Sequence, residues 1–243
     1  PATDYAIELA KNNLSLGVGI HFNITEGRSI IGKSSITNSE GFFHNKSKIN
    51  IGVLINKIKL LDIKSELEAQ YNYLVGKGLK ITHIDSHQHI HMNPKIFKIV
   101  ANFAKSRGIN IRIAFPQIIK RKKGSYDIKR FIKQSILYFA SIINSRYANK
   151  ISLKFNHSFN SIFDFHPFKY PIEEDYYQLV ELSKSNSHEL MVHIYEISDE
   201  LKDYYGDHFG RKLKFFKKAN SEKNILNKKE IFKKYNLITY SDL

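Results

Sequence analysis

Titratable residues recur with a period of two from His83 to His91, within the stretch Thr82 to Pro94, T-H-I-D-S-H-Q-H-I-H-M-N-P. His83, Asp85, His87, His89 and His91 hold the odd positions, and Thr82, Ile84, Ser86 and Ile90 the even ones. An extended backbone would turn the imidazoles and the carboxylate to one face. Residues 81–85 read as a short buried strand. Asn93-Pro94 is a helix start, with Asn as the cap and Pro at the first helical position. Ile96, Phe97, Val100, Phe103 and Ala104 then recur at helical spacing up to Arg107. Strand, polar turn and helix make half of a βα unit.

The same pattern of alternating elements covers most of the chain. Thr3 or Asp4 caps a first helix, with Tyr5, Ala6, Leu9 and Ala10 on one face and Asn12-Asn13 at its end. Residues 14–22 predict a strand that ends at His21. Residues 27–63 look irregular, with Gly41-Phe42-Phe43 resembling a loop over a site. A helix over 64–75 carries Leu67, Tyr71 and Leu74 along one face and stops at Gly76 and Gly78. Residues 109–114 predict a strand with Arg112 near its end. Residues 117–124 form a basic loop. A long helix over 127–147 follows, with Phe131, Ile132, Ser135, Ile136, Phe139, Ile142 and Ile143 as its apolar side. The stretch up to Phe168 has no assignable pattern. Helices over 171–183, 209–218 and 228–235 and strands over 189–195 and 237–240 complete the chain. Strands alternating with helices, without an internal repeat, predict a parallel α/β fold.

Size and charge add boundaries. At 243 residues the chain reads as a single domain over 1–243, with a basic helical insert at about 117–168. The net charge is +15, yet the lysines are scattered among asparagines and isoleucines throughout. That distribution is a chain-wide bias, and it argues against nucleic acid as a partner. An ordinary packed helix is the reading favoured for 127–147, ahead of a lid or a membrane-surface helix, so membrane contact is not the expectation. The absence of cysteine excludes disulfides and thiolate metal sites. No apolar run approaches the ~20 residues of a membrane span. The chain opens Pro-Ala-Thr-Asp, and the expectation is that it begins inside a longer protein.

The chemistry clusters at strand ends, where parallel α/β folds collect their ligands. The main cluster follows the strand at 81–85. His21, with Asn23, Thr25 and Glu26 after it, forms a second, and His193 with Glu196 a third. One metal ion takes about three protein ligands and leaves a position for water, so some histidines must instead orient others. Arg112 is placed to bind a carboxylate.

The blocks G-V-G-I-H-F-N-I-T-E-G, S-E-L-E-A-Q-Y, T-H-I-D-S-H-Q-H-I-H-M-N-P and E-L-M-V-H, in that order, resemble the YdjC-like carbohydrate deacetylases. The resemblance spans nearly the whole chain. It implies an irregular (β/α) barrel of the glycoside hydrolase/deacetylase type and metal-dependent removal of an N-acetyl group from a sugar. It implies His21 and His87 as metal ligands, His193 as a general acid, Asp85 and Arg112 as catalytic support, and His89 and His91 behind them. The implied ion is divalent, magnesium by family habit or zinc by its imidazole ligands. The implied setting is a cytoplasmic enzyme, as a homodimer, acting on an N-acetylated oligosaccharide. Two departures stand out. The family's opening N-A-D-D-F-G strand, source of two aspartates, has no counterpart, as though the first roughly 40 residues and the first βα unit were missing. The family's His-Pro is His193-Ile194 here. The expectation is therefore weak metal binding and little turnover by this chain. A metal-dependent phosphoesterase or amidohydrolase, or a non-catalytic module for glycan or membrane surfaces, are the alternatives.

Overall fold

The computed structural model describes residues 3–116, 128–162, 170–181, 187–228, 233 and 235–243. Its chain divides into two compact units. The first comprises Pro1–Ala114, Ser125–Asn156 and Ile238–Leu243, the second Phe115–Gly124 and His157–Leu237.

Three parallel strands centre the first unit: β1 (Val18–Phe22), β2 (Ile81–Ser86) and β3 (Asn110–Ile111), in the order β1-β2-β3. Parallel strands are covered on both faces, and Ile20, Phe22, Ile84 and Ile111 are accordingly buried. The helices here are α1 (Thr3–Lys11), α2 (Lys46–Leu54), α3 (Leu60–Gly76), α4 (Pro94–Arg107) and α5 (Ile128–Lys150). Ile63 and Leu67 of α3 and Ile96, Phe97, Val100 and Ala104 of α4 are fully buried. Asn93 caps α4 by accepting from the Lys95 N–H, and Gly108 closes it in the left-handed conformation at φ 65°. Both ends follow the sequence reading.

Several expectations change. The first helix buries Ile7, while Tyr5 and Leu9 of the expected face are exposed. Strand β1 begins only at Val18, and Leu14 and Leu16 lie in the open. The region 27–63 is not irregular throughout: Asn45 caps α2, which buries Ile49, Gly52 and Val53. Strand β3 has two residues, with Arg112 just beyond it. The expected strand over 237–240 is coil leading into a 3₁₀ turn, Tyr240–Asp242, held by a Thr239–Asp242 capping box.

Helix α5 has the expected place but not the expected packing. Among its described residues, Ser141, Asn144 and Ala148 are the buried ones. The Ser141 hydroxyl donates to the Ala114 carbonyl at 2.7 Å, and the Asn144 amide to the Met92 carbonyl at 2.9 Å. The apolar residues expected inside, Ile132, Ile136, Phe139 and Ile143, are exposed. The basic loop at 117–124 lies outside the described residues.

In the second unit β4 (Ser158–Ser161) and β5 (His188–Met191) pair in parallel. Helices α6 (Glu173–Glu181), α7 (Asp199–Tyr205) and α8 (Phe209–Leu226) accompany them. Ile162, Tyr176, Leu179 and Leu226 form its core. Glu222 is buried there, accepting from the Tyr176 hydroxyl at 3.0 Å and the His193 N–H at 2.8 Å. Burial raises its pKa above the ordinary carboxylate value. Strand β5 stops at Met191, so His193 lies two residues beyond the strand end rather than on it. Most of the helix expected at 228–235 lies outside the described residues. Among the described residues no helix is long and apolar enough to cross a membrane.

Gly19 pairs with His83 across β1 and β2. The His83 ring stacks on Tyr240 with centroids 4.1 Å apart. A methyl at Gly19 would sit 2.3 Å from the His83 Nε2. Gly19→Ala should therefore displace the ring and cost about 1–3 kcal/mol, as overpacking does, read as a lower urea midpoint. An unchanged midpoint would contradict the close approach.

Candidate active site

Strand register assembles the site. β1 and β2 pair so that His21 lies opposite Asp85 and Phe22 opposite Ser86. On the other side the Arg112 N–H donates to the Ile84 carbonyl at 3.0 Å, which brings the guanidinium alongside. The Asp85 carboxylate thus receives His21 Nδ1–H at 3.0 Å to both oxygens and an ion pair from Arg112 Nη1. A carboxylate only accepts, so a proton sits on Nδ1 of His21, and in the neutral ring Nε2 carries the lone pair. Burial opposes the ionised form of Asp85, but the His21 hydrogen bond and the Arg112 charge outweigh it. They hold the carboxyl well below the usual range.

Beyond Ser86 the backbone stops being extended. Residues His87–Met92 form a 3₁₀ turn in which Gln88 and His89 have φ of 53° and 54°. Left-handed backbone at non-glycine residues costs roughly 1–2 kcal/mol each, so the turn needs outside support. Lys46 Nζ donates to the Gln88 carbonyl. His91 is fully buried, its Nε2–H donating to the Arg112 carbonyl at 2.9 Å and its Nδ1 accepting from the Ser86 hydroxyl. The same hydroxyl oxygen accepts the His91 N–H at 3.1 Å. His87, first in the turn, lies edge-on to His21 with centroids 5.6 Å apart. Its Nε2–H donates to Glu26 Oε2 at 3.0 Å.

The expected residues therefore separate. His21, Asp85, His87 and Arg112 converge, and His91 braces them from behind. His89 is half-buried; burial first, then the charges of His91, Arg112 and Lys46, push its pKa well down. His193 belongs to the second unit, where its ring lies edge-on to Phe215.

Glu66 and Gln70 escaped the sequence reading as site residues. Glu66 is fully buried and accepts from the Ser29 hydroxyl at 2.6 Å, the Ile30 and Ile31 N–H groups at 3.1 and 3.2 Å, and Gln70 Nε2 at 2.8 Å. Gln70 also brackets Asn23, accepting its N–H at 3.1 Å and donating to its carbonyl at 2.7 Å. Asn23 Oδ1 in turn accepts the Thr25 and Glu26 N–H groups. This relay from α3 shapes the loop that presents Glu26 to His87. The signal was available: an acid at position 66, between Ile63 and Leu67 on the apolar face of a helix.

The donor set fits a divalent ion in part. A carboxylate on one imidazole nitrogen, with the lone pair on the other, is the support that metal-binding histidines have. His87 lies beside that ring. Among the described residues, however, no group of three or more His, Cys, Asp or Glu side chains is arranged to hold an ion. The two rings could provide at most part of a coordination shell.

The chain is similar to several known proteins. A family model described as YdjC-like protein matches residues 1–235. A carbohydrate deacetylase of Geobacillus stearothermophilus is 38% identical over 112 residues, 46% of this chain and 44% of the relative. One from Clostridium beijerinckii is 35% identical over 111 residues, 45% and 43% respectively. The matched stretch spans less than half the length of these curated relatives. A crystal structure of an Enterococcus faecalis V583 protein described as a cellobiose-phosphate cleavage protein superposes with a TM-score of 0.66 at 19% identity. It covers 98% of this chain and 82% of that one. The likeness shows the fold, α/β with parallel sheets.

Two outcomes follow from the buried charges. Glu66→Ala removes the acceptor of four part-buried donors and should cost on the order of 3 kcal/mol, measured by urea unfolding; a change of a few tenths would refute the relay. Burial lowers the His91 pKa from 6.5 to about 4. The folded state then binds fewer protons than the unfolded chain between these values. Stability is full above about pH 6.5 and falls by about 3 kcal/mol as pH drops to 4. His91→Gln should flatten that part of the profile, and a slope equal to wild type would exclude His91 as its source.

Proposed function

This chain belongs to the YdjC-like protein family, and from that premise we propose that it serves as a metal-dependent carbohydrate deacetylase, removing the N-acetyl group of an amino sugar. The observation that carries the reading is the His21–Asp85 pair, set by strand register beside His87. The names of the two curated relatives support the substrate class. The accompanying fold reading is an irregular (β/α) barrel, supported by strands that pair in parallel and alternate with helices.

Amide hydrolysis places the oxygen of water on the acyl carbon and its proton on the departing nitrogen, giving acetate and a free amine. A divalent ion, magnesium or zinc, held by His21 and His87 supplies, when bound, a water of lowered pKa and a polarised carbonyl. The protein's part is orientation. Asp85 fixes the His21 tautomer, so Nε2 presents its lone pair. Arg112 keeps Asp85 ionised. A carboxylate held so far below its usual range is a weak proton acceptor, so Asp85 acts as an anchor rather than as a base. Glu26 holds the His87 ring in the same way from the loop side. His91, with both ring nitrogens engaged, keeps Arg112 and the turn in place.

Two measurements test this: titration of the chelated protein with magnesium or zinc, and acetate release from N-acetylglucosamine oligomers. His21→Ala and His87→Ala should each abolish ion binding. Asp85→Asn should weaken it roughly 10–100-fold while the fold persists by circular dichroism. Ion binding untouched in both alanine variants would overturn the site. Release of phosphate from sugar phosphates, without acetate from any N-acetylated sugar, would overturn the reaction class.

A further inference from the structure

Helix α5 leaves its most apolar face uncovered. Ile132, Ile136, Phe139 and Ile143 follow one another at steps of four, three and four, which places them on one face. Their exposures are 52, 66, 64 and 51%. Tyr138 lies beside them, its ring edge-on to Phe139. The opposite face supplies the contacts with the unit, through Ser141, Asn144 and Ala148. The stripe is about 16 Å long at 1.5 Å per residue, and no described element covers it.

Charge identifies what it fits. Residues 117–154 contain ten lysines and arginines and a single acid, Asp127. On α5 itself Lys133, Arg146 and Lys150 are exposed. By helical spacing Arg146 and Lys150 continue the stripe at its C-terminal end, and Lys133 lies at its flank. A second copy of the chain would meet this face with its own, since two-fold contacts pair a patch with itself. That would press two cationic helices together. An anionic lipid surface accepts the apolar residues at the acyl boundary and neutralises the lysines and arginines around them, whose stems reach out to the headgroups.

We propose that α5 is an interfacial helix that lays the Ile132–Ile136–Phe139–Ile143 stripe into the surface of an anionic bilayer. It lies on the membrane and does not cross it. The inference is independent of the deacetylase reading, because none of its residues belongs to the candidate site.

The test is co-sedimentation of the full chain with phosphatidylcholine vesicles, with and without phosphatidylglycerol, at low and high salt. Binding should require the anionic lipid, weaken with salt, and fall roughly tenfold or more in Phe139→Asp. Ile136→Ser is the second variant should the first fail to fold; both positions are exposed, and circular dichroism checks each. Arg146→Glu, at an exposed position, should weaken binding without changing thermal stability. Absence of binding at low salt overturns the proposal. So does binding that neither stripe variant reduces, which would reflect charge alone. A dimer by light scattering that Phe139→Asp dissociates would assign the stripe to a second copy instead.

Discussion

The Asp85 carboxylate is the charge on which the strand ends depend. An ionised carboxylate taken out of water costs several kcal/mol unless its oxygens are met by charge and hydrogen bonds. Here His21 arrives from β1 and Arg112 from beyond β3, so the ion can be buried only while all three strands keep their register. A slip of one residue would turn His21 to the other face of β1. Arg112 extends the constraint through its own carbonyl, which takes the His91 Nε2–H and so reaches the turn after β2. One buried ion thus links β1, β2, the segment after β3 and the left-handed residues Gln88 and His89.

Glu66 solves the same problem differently. Its partners are a hydroxyl, two backbone N–H groups and an amide. They fix the path of the chain through 23–31 where the Arg112 pair fixes a sheet. The two buried carboxylates meet at the His21–His87 contact. One sets the ring on β1; the other sets the loop from which Glu26 reaches the ring after β2. Residues distant in sequence are brought into one arrangement by two buried acids.

Where local signals were strong, the sequence could be read directly. Asn93, Pro94 and Gly108 mark the ends of α4, and residues 81–85 read as a short buried strand, which β2 is. The odd-position spacing of histidines then continues through His91 while the backbone turns at His87, because nothing about Gln88 or His89 as residue types announces a positive φ. Helix α2 was hidden since Ile51 and Leu54 are exposed while Ile49 and Val53 are buried, leaving no single apolar face. Residues 237–240 are rich in strand formers, yet the Thr239–Asp242 box closes a 3₁₀ turn. Helix α5 was located but inverted: backbone carbonyls at Met92 and Ala114 await donors, and Asn144 and Ser141 meet them. Periodicity reports which face is apolar, and here hydrogen bonding decided which face packs.

A histidine-rich motif poses the same difficulty at the scale of single atoms. Spacing alone makes His83, His87, His89 and His91 equivalent, and bonding separates them. His83 leans on Tyr240 and takes a place beside the Thr82 hydroxyl, which already donates to Val18. His91 has a donor for Nδ1 and an acceptor for Nε2 and is sealed from water, so it braces and does not coordinate. His21, from outside the motif, has the opposite balance: one nitrogen fixed by a buried anion, the other a lone pair on a half-exposed ring. A metal-binding imidazole needs that asymmetry. The assignment of roles therefore rests on each residue's hydrogen-bond partners, which the neighbouring strand supplies and the motif itself does not contain.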